Sequence, residues 1–223
     1  MEYKILSTGS CGNATVINTN VLVDCGVSFK MLKPYYKKLW VVLLTHIHSD
    51  HFNSRTISLL AKNRPALRFG CCEWLAKDLV KCGVNKKNID VYKTDCEYDY
   101  GMFSVIPVKL THNVPNCGYK IHFKNEKVFY ATDTNTLDNV VADGYDLYLV
   151  EANYTDDEIQ ERIKRKIENG EYSYELDVLQ NHLSKAKCDE FLQRSMSWNS
   201  EYVYMHQHKE IDITKGDSDN GKQ

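Results

Sequence analysis

Long apolar runs are missing from this 223-residue chain. None of them, including the one through 41–45, approaches the roughly 20 residues a helix needs to cross a bilayer. Glycine and proline are scarce, at 11 and 4, which excludes collagen-like, linker-dominated and low-complexity chains. An excess of either charge is missing too: 28 lysines and arginines face 30 aspartates and glutamates, a net charge of −2. That balance argues against a protein built chiefly to coat nucleic acid, while leaving room for a local basic patch. The opening MEYKILSTGS lacks the charged stretch followed by an apolar one that marks a secretory leader. No two of the eight cysteines have C-x-x-C spacing, so neither a zinc ribbon nor a redox dithiol is signalled. The expectation is a cytoplasmic protein in a reducing compartment, without membrane attachment, whose cysteines serve as small buried hydrophobes.

What the chain has is short apolar segments alternating with helical ones. The spacing predicts strands over 3–8, 15–17, 21–24, 41–45, 66–69, 89–92, 102–110, 118–123, 127–131, 147–150 and 202–205. The run 41–45 is almost entirely Val and Leu, the composition of a strand buried on both faces. Helices are predicted over 28–39, where Pro34 bends or starts the helix, and over 54–62, 72–81, 155–169 and 184–194. Thr155 and Glu158 have capping-box spacing, and Ser184 is placed to cap the last helix. With no internal repeat and no linker, the expectation is one α/β domain over 1–214. The polar stretch 215–223, KGDSDNGKQ, is expected to be disordered.

The histidines are not scattered. His46, His48, Asp50 and His51 lie within six residues directly after the 41–45 strand. Neither core packing nor turn capping needs four such groups together, whereas imidazole plus carboxylate is a donor set for zinc and related divalent ions. His46 and His48 can face one position, and Asp50 and His51 a second beside it. One segment cannot complete two coordination shells, so further donors must come from elsewhere. His112, Asp133 and His206 each follow a predicted strand, and in α/β proteins ligands collect at the carboxyl ends of strands. His208 is the alternative to His206, which comes first after the apolar run. His122, within a strand, is read as packing or surface, and Cys117 is not taken as a ligand.

H-x-H-x-D-H after a strand, then a distant His, a later Asp and a final His, resembles the metallo-β-lactamase superfamily over most of the chain. The resemblance implies an α/β, four-layer αββα sandwich with a two-metal site at one edge. It implies that His46, His48 and His112 bind one metal, Asp50, His51 and His206 the other, and that Asp133 bridges both. Asp24 would orient the metal-binding loop. The stretches S-T-G-S-C-G-N, T-H-I-H-S-D-H, H-N-V-P-N-C-G-Y, Y-A-T-D-T and N-H-L-S resemble the YycJ (WalJ)-like branch, grouped with phosphodiesterases of ribonuclease Z type. A bridging carboxylate at Asp133 is typical of phosphodiesterase and thioester-hydrolase members and is lacking in true β-lactamases. His182, in N-H-L-S, resembles the histidine that contacts the scissile phosphate and helps protonate the leaving oxygen, with Ser184 beside it as a substrate contact. Asn113 stands where relatives often carry Asp, and Glu151-Ala152-Asn153-Tyr154 lacks a His often found there. Neither a β-CASP insertion nor a Gly/Pro-rich tRNA-gripping arm is present, which speaks against large structured RNA.

The function so implied is a hydrolase with two divalent ions, Zn²⁺ ahead of Mn²⁺ or Fe²⁺, and with Asp50 and His182 catalytic. Its substrate would be a phosphodiester, DNA or RNA included. The alternatives are a thioester or small-ester hydrolase of glyoxalase II type, a cyclic-phosphate phosphodiesterase, and a metal-holding structural or regulatory protein. The basic stretches at Lys30, Lys33, Lys37 and Lys38 and at 161–166 read as solvated helix faces.

Overall fold

The computed structural model describes residues 1–207; His208 and the stretch 215–223 lie outside the described residues. One six-stranded sheet runs, in spatial order, β1 (Tyr3–Ser7), β2 (Ala14–Ile17), β3 (Val21–Val23), β4 (Val41–Leu44), β5 (Arg68–Cys72) and β6 (Ile89–Tyr92). The second runs from β7 (Tyr98–Asp99) through β8 (Phe103–Leu110), β9 (Asn116–Phe123), β10 (Lys127–Ala131) and β11 (Leu147–Glu151) to β12 (Glu201–Met205). Pairing is antiparallel from β1 to β3 and parallel from β3 to β6, then antiparallel from β7 to β10 and parallel from β10 to β12. Six helices accompany them: α1 (Phe29–Leu32), α2 (Ser54–Asn63), α3 (Glu73–Lys81), α4 (Asp156–Glu168), α5 (Glu175–Asn181) and α6 (Lys185–Ser195).

The two-residue period of the strands sorts the side chains into layers. Val41 and Leu43 of β4 share a core with Tyr119, Ile121, Tyr130 and Leu149 of the second sheet. Val42 and Leu44 turn the other way, onto Ile57, Leu60, Leu75 and Leu79 of α2 and α3. In the second sheet Phe129, Tyr148 and Val150 face outward onto Cys188, Phe191 and Leu192 of α6. Helix, sheet, sheet, helix is therefore the layering, the αββα sandwich that the sequence suggests. Each fully buried Val or Leu contributes about 1.5–3 kcal/mol to holding the layers, and β4 is unbroken in its apolarity because it serves both inner cores.

Several elements differ from expectation. The helix predicted over 28–39 shrinks to α1 followed by turns: Lys33 keeps helical backbone as its C-cap, but Pro34 offers no N–H to carry the hydrogen-bond ladder on. The strand expected over 66–69 is displaced: a turn in which Leu67 N–H donates to Arg64 holds the chain out of the sheet until Arg68, and Cys71 pairs with Leu44. At Gly70 an added Cβ would lie 2.2 Å from the Tyr92 hydroxyl oxygen, so the strand can cross here only with no side chain. The Thr155 hydroxyl donates to the Glu158 carboxylate rather than accepting from the backbone, so the capping box is not formed as spaced. Ser184 does cap α6, accepting from Lys187 N–H. Strand β7 and helix α5 are too short, at two and seven residues, for a periodic signal. All eight cysteines are free, five of them buried as expected, with Cys11 exposed. Among the described residues no helix is long and apolar enough to cross a membrane.

Candidate metal centre

The parallel strands β3 and β4 end side by side, and so do β10, β11 and β12 of the other sheet. Their carboxyl ends meet along one edge of the sandwich and deliver Asp24, His46, Asp133, Glu151 and His206 to it. Asp24, Asp133 and His206 all have left-handed backbone, at φ of 60°, 57° and 50°, which is uncommon for residues other than glycine. Backbone held there needs surrounding structure to impose it, and such positions gather at functional sites. For Asp133 part of that support is the Asn116 amide, which donates to the carbonyls of Thr132 and Asp133.

The loop after β4 is anchored before it offers any donor. Asp24, fully buried, accepts from Thr45 N–H (3.0 Å), the Thr45 hydroxyl (2.9 Å), His51 Nδ1–H (2.7 Å) and the Tyr130 hydroxyl (3.1 Å). The Trp74 indole and the Cys117 thiol both donate to the Thr45 carbonyl. A Cβ on Gly26 would fall 1.6 Å from the Asp50 carbonyl oxygen, so only glycine lets the two loops approach this closely. Asp24, which the resemblance implies as an orienting group, thus ties Thr45 and His51 of this loop to Tyr130 of the second sheet.

Two groups of donors result. His46 Nε2 lies 3.1 Å from His48 Nδ1, which lies 3.3 Å from His112 Nε2. His112 Nδ1 donates to the Asn181 carbonyl at 2.9 Å, and His46 Nδ1 meets Thr45 Oγ1 at 3.0 Å, whose own proton goes to Asp24. Both rings therefore present an unprotonated Nε2 inward. His48 Nδ1 can offer a proton to only one of these two nitrogens, so at least one pair of facing lone pairs repels unless a cation sits between them. Tetrahedral zinc with bonds of about 2.0–2.1 Å spaces its ligands by about 3.3 Å, which these separations match.

The second group is acidic. Asp50 Oδ2 is 3.4 Å from both His51 Nε2 and His206 Nε2. Asp133 places Oδ2 2.8 Å from His51 Nε2 and Oδ1 3.5 Å from His206 Nε2. Asp133 Oδ2 is buried, and what faces it is the His51 ring, so its charge is met either by the proton on that ring or by a cation in the proton's place. Asp133 also converges with His46 and His51, so it stands between the two groups. All seven residues expected as ligands are thus brought together, His206 among them; the alternative, His208, lies outside the described residues.

The two groups titrate in opposite directions. Burial, with the neighbouring His51, pushes His46 down to about 2, and burial lowers His112 as well. Burial also acts against charge on His206, but Asp133, Asp50 and Glu151 outweigh it and hold this imidazole up to about 10. His51 is likewise raised, by Asp133 and Asp24 against its burial. Burial works to raise both Asp50 and Asp133, yet the adjoining His51 and His206 keep both carboxyls well below the usual range.

His182 stands above this cluster as the C-cap of α5. Its ring stacks on His206 at 5.2 Å between centroids and meets His112 edge-on. Nδ1 is 2.6 Å from Glu151 Oε1, and that carboxylate, against the effect of burial, raises the His182 pKa. Ser184 is 2% exposed, its hydroxyl engaged as the α6 cap.

Glu151 is the residue that sequence reasoning missed. Fully buried, it accepts from His182 and from Thr134 N–H (2.9 Å) and lies 3.4 Å from His206 Nδ1. It is the last residue of β11, the same strand-end position as the expected ligands, but its place inside an apolar run hid it. Asn13 was also passed over, within S-T-G-S-C-G-N. Its Oδ1 accepts Gly9 N–H, which fixes its amide nitrogen 2.8 Å from His51 Nε2 and 3.2 Å from Asp50 Oδ2.

Residues 19–187 match the family model described as a beta-lactamase superfamily domain. Among solved structures, the metallo-beta-lactamase fold protein YhfI from Bacillus subtilis is 18% identical, with a TM-score of 0.70 over 92% of this chain and 85% of that one. The short form of human tRNase Z is 16% identical, with a TM-score of 0.68 over 94% and 93%. Zn²⁺-bound PqqB from Methylobacterium extorquens is 11% identical, with a TM-score of 0.62 over 93% and 89%. No curated protein matches by sequence.

Proposed function

The chain belongs to the beta-lactamase superfamily, and from that premise we propose a dinuclear metal-dependent phosphodiesterase of the YycJ-like, ribonuclease Z-type branch. The fold implies divalent metal binding, and the donor set fits it. Zn²⁺ is the first choice, over Mn²⁺ or Fe²⁺, because imidazoles dominate one position. His46, His48 and His112 would hold one ion, and Asp50, His51 and His206 the other, with Asp133 between them. When bound, the pair would supply an acidified water and neutralise charge on a phosphate.

The observation that carries the choice of phosphodiester is the His182–Glu151 pair beside the metal ligands. At 2.6 Å this is a hydrogen bond rather than two donors sharing an ion. Glu151 fixes the Nδ1–H tautomer and favours the protonated ring, so Nε2–H can hydrogen-bond a phosphate oxygen and give its proton to the leaving oxygen. A thioester needs less help, since a thiolate leaves readily without a proton. Asp50, with its side chain 21% exposed, would accept the proton of the attacking water or orient it. Ser184, implied by the resemblance as a substrate contact, is instead buried with its hydroxyl accepting from Lys187 N–H as the α6 cap.

The test is a substrate panel with added Zn²⁺ or Mn²⁺: bis(p-nitrophenyl) phosphate, single-stranded DNA and RNA, and S-lactoylglutathione. Cleavage of the phosphodiesters and not of the thioester is expected. Thioester turnover alone would reverse the assignment, and no turnover with metals bound would leave a binding protein.

A further inference from the structure

Between residues 25 and 72 the chain carries eight lysines and arginines but one acidic residue, Asp50, which is taken up by the metal centre. In a chain of net charge −2, this stretch alone is +7, so an excess of nine acidic charges lies elsewhere. The exposed bases are Lys30, Lys33, Lys37, Lys38, Arg55 and Lys62. None of their side chains forms an ion pair or hydrogen bond among the described residues. Other surface helices behave differently: Lys81 pairs with Asp78 on α3, Lys164 with Glu168 on α4, and Lys185 with Asp189 on α6. A merely solvated face interleaves both signs in that way, whereas like charges left unopposed repel and cost stability. The expectation that Lys30 to Lys38 form such a face does not account for this.

The fold turns this composition into one surface that starts at the metal centre. Cys25 N–H donates to the His51 carbonyl, Asn53 N–H to the Cys25 carbonyl, and the Thr56 hydroxyl to the Val27 carbonyl. The segment bearing α1 and the helix α2 therefore both leave from beside Asp50 and His51. They run along the outside of the first sheet for about 15 Å, the length of a ten-residue helix. At the far end the Arg64 guanidinium donates to the carbonyls of Tyr36 and Leu39, tying the two together. Trp40, 48% exposed, stands at that end, a flat aromatic among the lysines.

We propose that this face is a track for single-stranded nucleic acid. Its lysines and Arg55 would contact the phosphates, and Trp40 would stack an unpaired base. The proposal rests on the phosphodiesterase reading and names the surface that leads a polymeric substrate to that centre.

The test is fluorescence anisotropy with a labelled 20-nucleotide single strand of mixed sequence, on the metal-loaded full chain carrying His182→Ala so that the strand stays intact. Replacing Lys30, Lys33, Lys37 and Lys38 by Ala together should weaken binding at least tenfold at low salt. The slope of log K against log salt should become shallower by about 2 to 3, at roughly 0.7 for each single-strand phosphate contact. Trp40→Ala should weaken binding about fivefold or more without changing the slope. With His182 restored, the four-lysine variant should hydrolyse bis(p-nitrophenyl) phosphate, too small to reach the track, within twofold of the parent. Binding and slope unchanged in the four-lysine variant would overturn the proposal. So would displacement of the strand by poly-glutamate as readily as by unlabelled strand, which would make the face a general anion or acidic-protein site. If the small phosphodiester is inert to the parent while strand binding falls in the variant, the track stands and the phosphodiesterase reading fails.

Discussion

The two donor groups of the candidate metal centre use overlapping residue types to opposite electrostatic ends. The half built from His46, His48 and His112 has no carboxylate of its own, and burial keeps His46 and His112 below their ordinary pKa. Its lone pairs are free before any ion arrives. The half built from Asp50, His51, His206 and Asp133 is rich in carboxylate, and that charge raises His51 and His206. There, protons occupy the basic positions that a cation would take. One half would thus take a metal as it stands, and the other would have to exchange protons for it.

The largest effect should come from the residue that joins them. Asp133→Ala removes the carboxylate facing both groups, so the second ion and all measurable hydrolysis should be lost while the first ion stays. Metal analysis after dialysis, beside turnover of bis(p-nitrophenyl) phosphate, checks both. Loss of both ions together would show that the halves are not separable. His182→Ala should come next, with metal content unchanged and turnover down at least about 100-fold, the lower range for a general acid. Full activity in that variant would remove His182 from the chemistry and leave Glu151 as a group that only holds His206.

A pH titration sharpens the contrast itself. His206, raised to about 10, carries its proton below that value, so binding a cation at neutral pH must expel it. The apparent affinity of the second position should therefore fall by about tenfold or more for each unit from pH 9 down to 7. For the first position His46, held down to about 2, has no proton to lose, and affinity should change much less over the same range. Competition against a chromophoric chelator at pH 7, 8 and 9 resolves the two, and parallel curves would refute the division.

How much of this was legible in the sequence follows the same line. The first half and the loop could be read because H-x-H-x-D-H is local: spacing alone puts its donors together. His112, Asp133 and His206 could be read because each breaks an apolar run at its end. Glu151 could not, since a buried carboxylate inside β11 makes sense only once His182 and His206 arrive from α5 and β12 to pair with it. The same limit applies to the elements. Unbroken apolar β4 announced itself, whereas α5 is placed by contacts at its end, where Asn181 and Gln180 accept from His112 and Asn135. The lysines at 30, 33, 37 and 38 looked like a solvated face because only the fold sets them beside α2 on a surface that starts at the candidate site.

Asn13 offers the smallest and most specific test. With Oδ1 taken by Gly9 N–H and one amide proton by the Gly9 carbonyl at 3.0 Å, a single N–H remains to face His51 Nε2 and Asp50 Oδ2. It cannot donate to His51 once a cation holds that nitrogen, which leaves it to Asp50, whose carboxylate at 3.2 Å and main-chain carbonyl at 3.3 Å it would hold in place together. Asn13→Ala should therefore weaken the second position about tenfold, the lower range for removing a group that orients a ligand. The first position, which Asn13 does not touch, should hold its metal within about threefold. Cobalt titration followed by visible absorbance measures both affinities without any turnover. If both positions weaken alike, or the melting temperature falls with neither changed, Asn13 serves only to hold its loop, and the second half owes its geometry to Asp24 and Asp133 alone.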